Sequence, residues 1–199
     1  MTHEESIGSE ISAVSKEDRT RAIETLVLAF ASDPQLRFLF PDPLQYQTNA
    51  FYFFKAFGGN TFEHDSAYQV AGYSGTSLWL PPGSHPAEED LVSVIHEGGD
   101  QSKIPTVMAV LEQMEQYRPD EHHWYLPLIG VDPAKQGQGY GSALLQYGLD
   151  VVDRQGFIAY LENTNPANTP LYERHGFKVV GTIQVSDAPP LYPMIRYPE

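Results

Sequence analysis

Between an apolar run that ends at Val131 and a helical run that starts at Ala143, the chain carries Gln136-Gly137-Gln138-Gly139-Tyr140-Gly141-Ser142. No other stretch limits the fold so strongly. Three glycines on alternate positions let the backbone approach a ligand with no β-carbon in the way. The helix that follows offers unpaired N–H groups and the positive end of its dipole. A strand, a glycine loop and a helix in that order make a pyrophosphate site in a chain that mixes strands and helices.

Composition sets the outer limits. With 199 residues, 41% of them hydrophobic, and no apolar run long enough to span a bilayer, residues 1–199 are expected to form one domain with no membrane partner. Residues 1–10 are polar and acidic and lack the basic and apolar parts of a secretory signal, so cytoplasmic residence is the default expectation. The absence of cysteine excludes disulfides, thiolate nucleophiles and cysteine metal sites. A formal charge of −14 argues against a nucleic-acid surface and suits a cationic small molecule, although acidity also serves solubility. His64, His85, His96 and His175 are scattered and build no His-Glu-x-x-His helix, so no metal is expected. His175 has a sufficient explanation as a helix-end residue beside Gly176.

Ser15 and Asp18 have capping-box spacing, and Ala22, Ile23, Leu26, Val27 and Phe30 recur at helical intervals, which predicts a helix over 16–31. Pro34 and Pro41 break that pattern. Pro43 opens a second helix through Tyr46, Ala50, Phe53, Phe54 and Phe57, stopped by Gly58 and Gly59; its aromatic stripe reads as core or pocket wall. Segments 67–73 and 76–80 read as a hairpin joined by Ser74 and Gly75. Helices over 88–96 and 104–117 follow, with Gly98 and Gly99 between them. The second half reads as strand 123–131, helix 139–154, strand 157–161, short helix 167–174, strand 177–185 and strand 191–197.

Three pyrophosphate binders compete for the glycine loop. A nucleoside-triphosphatase loop needs Lys and Ser or Thr directly after its last glycine, and here Ser142-Ala143 follows. A dinucleotide fold finds Gly137-x-Gly139, a helix, a second strand and the acidic Glu162 at a workable distance. Yet Ser142 holds its third glycine position, and residues 132–136 separate the strand from the glycines. The third binder is coenzyme A. Gln136-x-x-Gly139-x-Gly141, after a strand ending Gly130-Val131-Asp132-Pro133, resembles the acetyl-coenzyme A motif of the GNAT superfamily of N-acetyltransferases. Asn165-Pro166-Ala167-Asn168-Thr169-Pro170-Leu171-Tyr172-Glu173-Arg174-His175-Gly176-Phe177 resembles that family's second conserved segment. The resemblance extends over residues 123–185. Segments 124–130, 139–145 and 171–177, with the helical insert before them, look most similar to the puromycin N-acetyltransferase-like branch.

The resemblance implies an α/β (α+β) fold of GNAT type: a mixed, largely antiparallel central sheet splayed at a parallel strand pair and flanked by helices. It implies acceptor-side helices and a hairpin over about 11–120 and an acetyl-CoA-binding core over about 121–199. It also implies acetyl transfer from acetyl-CoA to an amine of a small molecule by direct attack in a ternary complex. A different reading of the same loop is a non-catalytic acyl-CoA sensor or interaction module. The backbone of Ile129, Gly130 and Val131 is expected to pair with the pantetheine arm like an added strand. Amides of Gln136, Gly137, Gln138, Gly139, Tyr140, Gly141 and Ser142 hold the pyrophosphate, and Asn168 meets the pantetheine side.

Acyl transfer to an amine needs a neutral nucleophile, a stabilised oxyanion and a protonated leaving thiolate. The resemblance makes Tyr172 the general acid; a phenol with an ordinary pKa of about 10 keeps its proton at neutral pH. From the residues alone, Tyr172 reads rather as a core tyrosine, and it is the resemblance that favours the acid. Glu162 ends an apolar strand where the two central strands part, so it either receives the amine's proton or caps the turn of Asn163, Thr164 and Asn165. His122 and His123 have a suitable intrinsic pKa, but alternation sends neighbouring strand residues to opposite faces, so at most one of them enters a given pocket. The aromatic residues Phe38, Phe40, Tyr46, Phe51, Tyr52, Phe53 and Phe54 point to a cationic, partly aromatic acceptor.

Overall fold

A computed structural model describes residues 11–198; residues 1–10, read above as free of a secretory signal, lie outside the described residues. Four helical turns begin by one device that the sequence spells openly. Asp33-Pro34, Asp42-Pro43, Asp132-Pro133 and Asn165-Pro166 each place a side-chain oxygen on the amides that follow, while the proline presets φ for the first turn. Pro34 therefore opens a helix where the periodicity alone predicted a break. The helices are α1 (Arg19–Ala29), α2 (Pro34–Leu39), α3 (Pro43–Gly58), α4 (Glu88–Gly98), α5 (Ile104–Tyr117), α6 (Tyr140–Gln155) and α7 (Thr169–Arg174). Ser15 and Asp18 do bond each other, at 3.0 and 3.2 Å, but as a turn before α1, which starts three residues later than its periodicity predicted.

The strands are β1 (Ile11–Ala13), β2 (Ala67–Val70), β3 (Gly75–Leu80), β4 (His123–Val131), β5 (Ile158–Asn163), β6 (Lys178–Val179) and β7 (Tyr192–Arg196). They form one sheet in the order β1-β2-β3-β4-β5-β7-β6, antiparallel throughout except for the parallel pair β4–β5. The expected mixed sheet with a central parallel pair is therefore present. Helices α1 and α3 bury Ile23, Leu26, Phe54 and Leu128 on one face; α6 and α7 bury Trp79, Leu144, Leu145 and Tyr172 on the other.

Local boundaries depart from the sequence pattern where tertiary contacts intervene. The hairpin turns at 71–74, with positive φ at Ala71, Gly72 and Tyr73, rather than at Ser74 and Gly75. Gly75 belongs to the ladder: it pairs with Val131, and a β-carbon there would lie 3.1 Å from the Gly130 carbonyl oxygen. The strand expected over 177–185 shrinks to β6 and a single bridge between Ile183 and Leu191. Beyond Val180 the chain leaves the sheet to pack on α5, where Ile183, Ala188 and Leu191 meet Val110 and Met114 and Lys103 bonds Asp187 at 2.6 Å.

One irregularity governs the sheet. Leu78 and Leu80 of β3 oppose Leu128 and Tyr125 of β4, so one residue between them on β3, Trp79, faces two on β4. The extra residue lies at Leu126–Pro127, where proline's missing N–H takes nothing from the ladder. The bulge reverses the alternation: Trp124 and Leu126 pack toward α6, whereas beyond it Leu128 and Gly130 turn toward α1.

Packing across the sheet leaves no slack at Gly148 of α6. A β-carbon there would lie 2.3 Å from the indole of Trp79, which is fully buried. Gly148→Ala is expected to cost about 1–3 kcal/mol. Chemical denaturation measures it, and wild-type stability in the mutant would show that the indole yields.

Candidate active site

The glycine loop folds as its residues require. Gly137 and Gly139 take φ of +77° and +87°, a left-handed conformation closed to most side chains, and Gly139 caps α6. The first hydrogen bond of the helix start runs from Ala143 N to Gly139 O at 3.0 Å. The amides of Gln136, Gly137, Gln138, Gly139, Tyr140, Gly141 and Ser142 donate to no other described group. Gly141 lies in the first turn, and a β-carbon there would touch Val131 and Leu171 at 3.7 and 3.8 Å, so one methyl fills the space. A run of free amides at the positive end of a 16-residue helix fits a pyrophosphate such as that of acetyl-CoA. The side chains have other work: Gln136 folds back to the Val131 carbonyl, and the Ser142 hydroxyl shares a 2.8 Å hydrogen bond with His175 Nε2.

Ile129, Gly130 and Val131 pair with Ser77, Thr76 and Gly75 of β3 along one edge. Toward β5 the pairing stops at Tyr125 with Tyr160, so the β5-facing edge of these three residues has no strand partner. An extended ligand arm can occupy that edge. Gly130 owes its lack of a side chain to α1, because a β-carbon would sit 2.6 Å from that of Ala29.

Below the parted strands lies an open cavity walled by Phe30, Phe53, Phe57, Met114, Leu128 and Leu191. Gln35, Thr164 and Glu162 are its polar lining, and among the described residues Glu162 is its one ionisable group. Glu162 lies two residues past the last β4–β5 pair, at the point where the strands separate, as its position in the sequence led us to expect. Its Oε1 is enclosed. Burial pushes its pKa up to about 7, against the pull of Tyr125, Arg118 and Tyr160. The aromatic stripe of α3 divides between roles: Phe53 and Phe57 wall the cavity, Tyr46 and Phe54 are core, and Tyr52 is exposed.

Tyr172 does not line this cavity. It sits on the α6 side of the sheet, edge-on to Phe177 at 6.1 Å, and its hydroxyl bonds no described residue. Burial, reinforced by the Asp33 carboxylate, holds its phenol well above the ordinary range, so it keeps its proton at neutral pH. Asp33 links the two regions. Buried at the start of α2, it accepts hydrogen bonds from Gln35 N, Leu36 N and the hydroxyl of cavity residue Thr164. Burial still raises its pKa. Asn168 lies exposed at the start of α7, with its amide bonded to Asn165 O.

His122 and His123 both line a second, polar pocket, with His85, Glu115, Arg118 and Tyr125, and neither faces the apolar cavity. Alternation fails to separate them because β4 begins only at His123. Among the described residues, no three His, Asp or Glu side chains converge as metal ligands. Two site residues carried a readable signal that periodicity hid: Asp33 through its Asp-Pro pair, and Pro127 as a proline inside a strand. Tyr125 carried none, because only strand pairing brings it to Glu162, whereas Tyr160 stands two residues before Glu162 on the same face of β5. Replacing Gly139 by Val is expected to abolish acetyl-CoA binding, since the loop must leave its left-handed turn; unchanged affinity by calorimetry would refute the amide cradle.

Residues 106–177 match the family model described as the acetyltransferase (GNAT) family. Over 212 aligned residues the chain is 29% identical to an uncharacterised N-acetyltransferase of Schizosaccharomyces pombe, covering 94% of this chain and 82% of that one. Among solved structures, one described as histone acetyltransferase HPA2 and related acetyltransferase, from Corynebacterium glutamicum, superposes with a TM-score of 0.68 at 24% identity, covering 95% and 96% of the two chains. Arylalkylamine N-acetyltransferase 2 of Aedes aegypti shares the fold with a TM-score of 0.66 at 14% identity, covering 95% and 98%. With the free-amide loop, the parted parallel strands and the matching second segment, these likenesses place the acetyltransferase (GNAT) family match on residues 106–177 and give the whole chain the fold of solved acetyltransferase structures.

Proposed function

We propose that this enzyme moves the acetyl group of acetyl-CoA to the primary amine of a small, largely apolar molecule, by direct attack in a ternary complex. The observation that carries the proposal is a single carboxylate, Glu162, in an otherwise uncharged cavity at the point where β4 and β5 part. An ammonium group finds one counter-charge there, and the apolar walls bury the rest of the molecule. A polyamine would bring a second cation with no partner in the cavity. Aminonucleoside-like acceptors, implied by the likeness to the puromycin N-acetyltransferase-like branch, and arylalkylamines both meet the requirement.

Acetyl-CoA supplies the activated carbonyl as a thioester. The free amides at the start of α6 hold its pyrophosphate, and the open edge of Ile129, Gly130 and Val131 receives its pantetheine arm, with Asn168 on the far side. Glu162, with a pKa near that of neutral solution, takes one proton from the bound ammonium. The freed amine nitrogen then bonds the carbonyl carbon as the C–S bond breaks. Tyr172, kept protonated by burial, gives its proton to the departing thiolate, and the second proton shed by the acetylated nitrogen passes through solvent to restore the phenol. No covalent enzyme intermediate is required, and the whole chain acts as one domain.

Thiol release across a panel of amines tests the acceptor class. Turnover is expected with apolar amines carrying one ammonium group, and a preference for polyamines or lysine peptides would overturn it. Tyr172→Phe and Glu162→Gln are each expected to lose about 10²–10⁴-fold in kcat with acetyl-CoA affinity retained; wild-type rates in either variant remove that residue from the mechanism. Because Glu162 must be ionised to accept the proton, kcat/KM is expected to fall about tenfold per pH unit below about 7. A profile flat down to pH 5 would exclude Glu162 as the base.

A further inference from the structure

Beside Glu162, three side chains have no assigned role. Tyr125 and Tyr160 are the last partners of the β4–β5 pair, and Glu162 follows Tyr160 by two residues, so all three lie on one face of the sheet at the point of parting. The two tyrosines are 3% and 0% exposed and their rings stand 5.8 Å apart. Both hydroxyls and Glu162 Oε1 are enclosed and have no other described partner, and each phenol lies close enough to act on the Glu162 carboxylate as a donor. Two O–H donors and one acceptor are thus buried together, each without another partner. An ionised carboxylate accepts only, and a phenol proton rotates to suit its acceptor, so the set is complementary when Glu162 is charged.

Arg118, at the end of α5, lies with its guanidinium 5.0 Å from the centroid of the Tyr125 ring. Its side chain is 14% exposed, bonds Glu115 at 2.9 Å and keeps Nε enclosed and unbonded. From that position its charge favours an ionised Glu162, opposed in part by Glu115. On β4, the neighbouring His123 lies 5.9 Å from the Tyr160 ring, and burial lowers its pKa, so it adds little charge at neutral pH.

We propose that Tyr125, Tyr160 and Arg118 are positioning residues that hold the Glu162 carboxylate ionised and aimed into the acceptor cavity. The two phenols donate to it from the parallel strand pair, and the guanidinium supplies the positive field across the Tyr125 ring. A role in packing alone would be met as well by phenylalanine, which would leave the carboxylate with no donor. The proposal rests on Glu162 serving the reaction as described above, but its central statement concerns the ionisation of that side chain and can be measured without turnover.

The experiment titrates the Glu162 carboxyl carbon by NMR in protein labelled with ¹³C at glutamate Cδ, its signal identified by loss in Glu162→Gln. The pH dependence of kcat/KM is followed in the same variants. From a wild-type midpoint of about 7, Tyr125→Phe, Tyr160→Phe and Arg118→Gln are each expected to raise the midpoint by about one pH unit, because each removes a group that favours the charged form. Arg118→Lys keeps the charge and is expected to stay near the wild type. The acid limb of kcat/KM moves with the midpoint, giving roughly tenfold lower rates below it. An unchanged midpoint in all three variants overturns the proposal, whatever their stability. A midpoint that rises while the limb stays in place upholds the positioning and instead removes Glu162 as the base.

Discussion

Past Tyr125 and Tyr160, β4 and β5 stop pairing, and Glu162 and the unpaired edge of residues 129–131 lie at the wedge that opens there. Two parallel strands in mid-sheet ordinarily exchange hydrogen bonds along their length, since unpaired backbone amides are costly to bury. Here β4 carries an extra residue at Leu126–Pro127, and its run beyond the bulge is secured by β3 alone. The parting leaves a backbone edge unpaired and opens a cavity beside Glu162, the places proposed above for the two ligands.

The sheet sorts those ligands. The glycine loop and α6 lie beyond the end of β4, where free amides and the helix dipole favour a polyanion. The apolar cavity lies on the face of α1, α3 and α5, whose aromatic and aliphatic side chains exclude other charges from around Glu162. Asp33 fastens the acceptor-side helices to the turn after β5 through the Thr164 hydroxyl, so the cavity wall and the Tyr172 region are held by one buried carboxylate. On the far side, Arg196 grips Asp153 with two hydrogen bonds and the His175 carbonyl with a third, which locks α6 against β7 and the end of α7.

Much of this was legible where local chemistry dominates. β4 and α5 match their expected bounds residue for residue, because both are framed by loops. The glycine loop was legible because left-handed backbone leaves few alternatives to glycine. Reading failed where distant packing overrides a local pattern. The 177–185 segment has strand-like composition, but its second half is drawn off the sheet by Lys103, Val110 and Met114 of a remote helix. The hairpin turn moved because Gly75 is needed in the ladder beside Val131. Both histidines reached one pocket because a strand boundary fell between them.

By itself, then, the sequence determined the kind of donor site: glycines at fixed spacing before a helix, a tyrosine in the segment after β5, and a carboxylate at a strand end. These are properties of neighbours in the chain, and backbone geometry acts over a few residues. Tertiary structure alone decided the acceptor side. Whether Glu162 is a capping residue or a buried acid with a pKa near 7 depends on Tyr125, Tyr160, Arg118 and the walls contributed by α1, α3 and α5. Desolvation is a collective property of groups far apart in sequence, and no pattern within one segment encodes it.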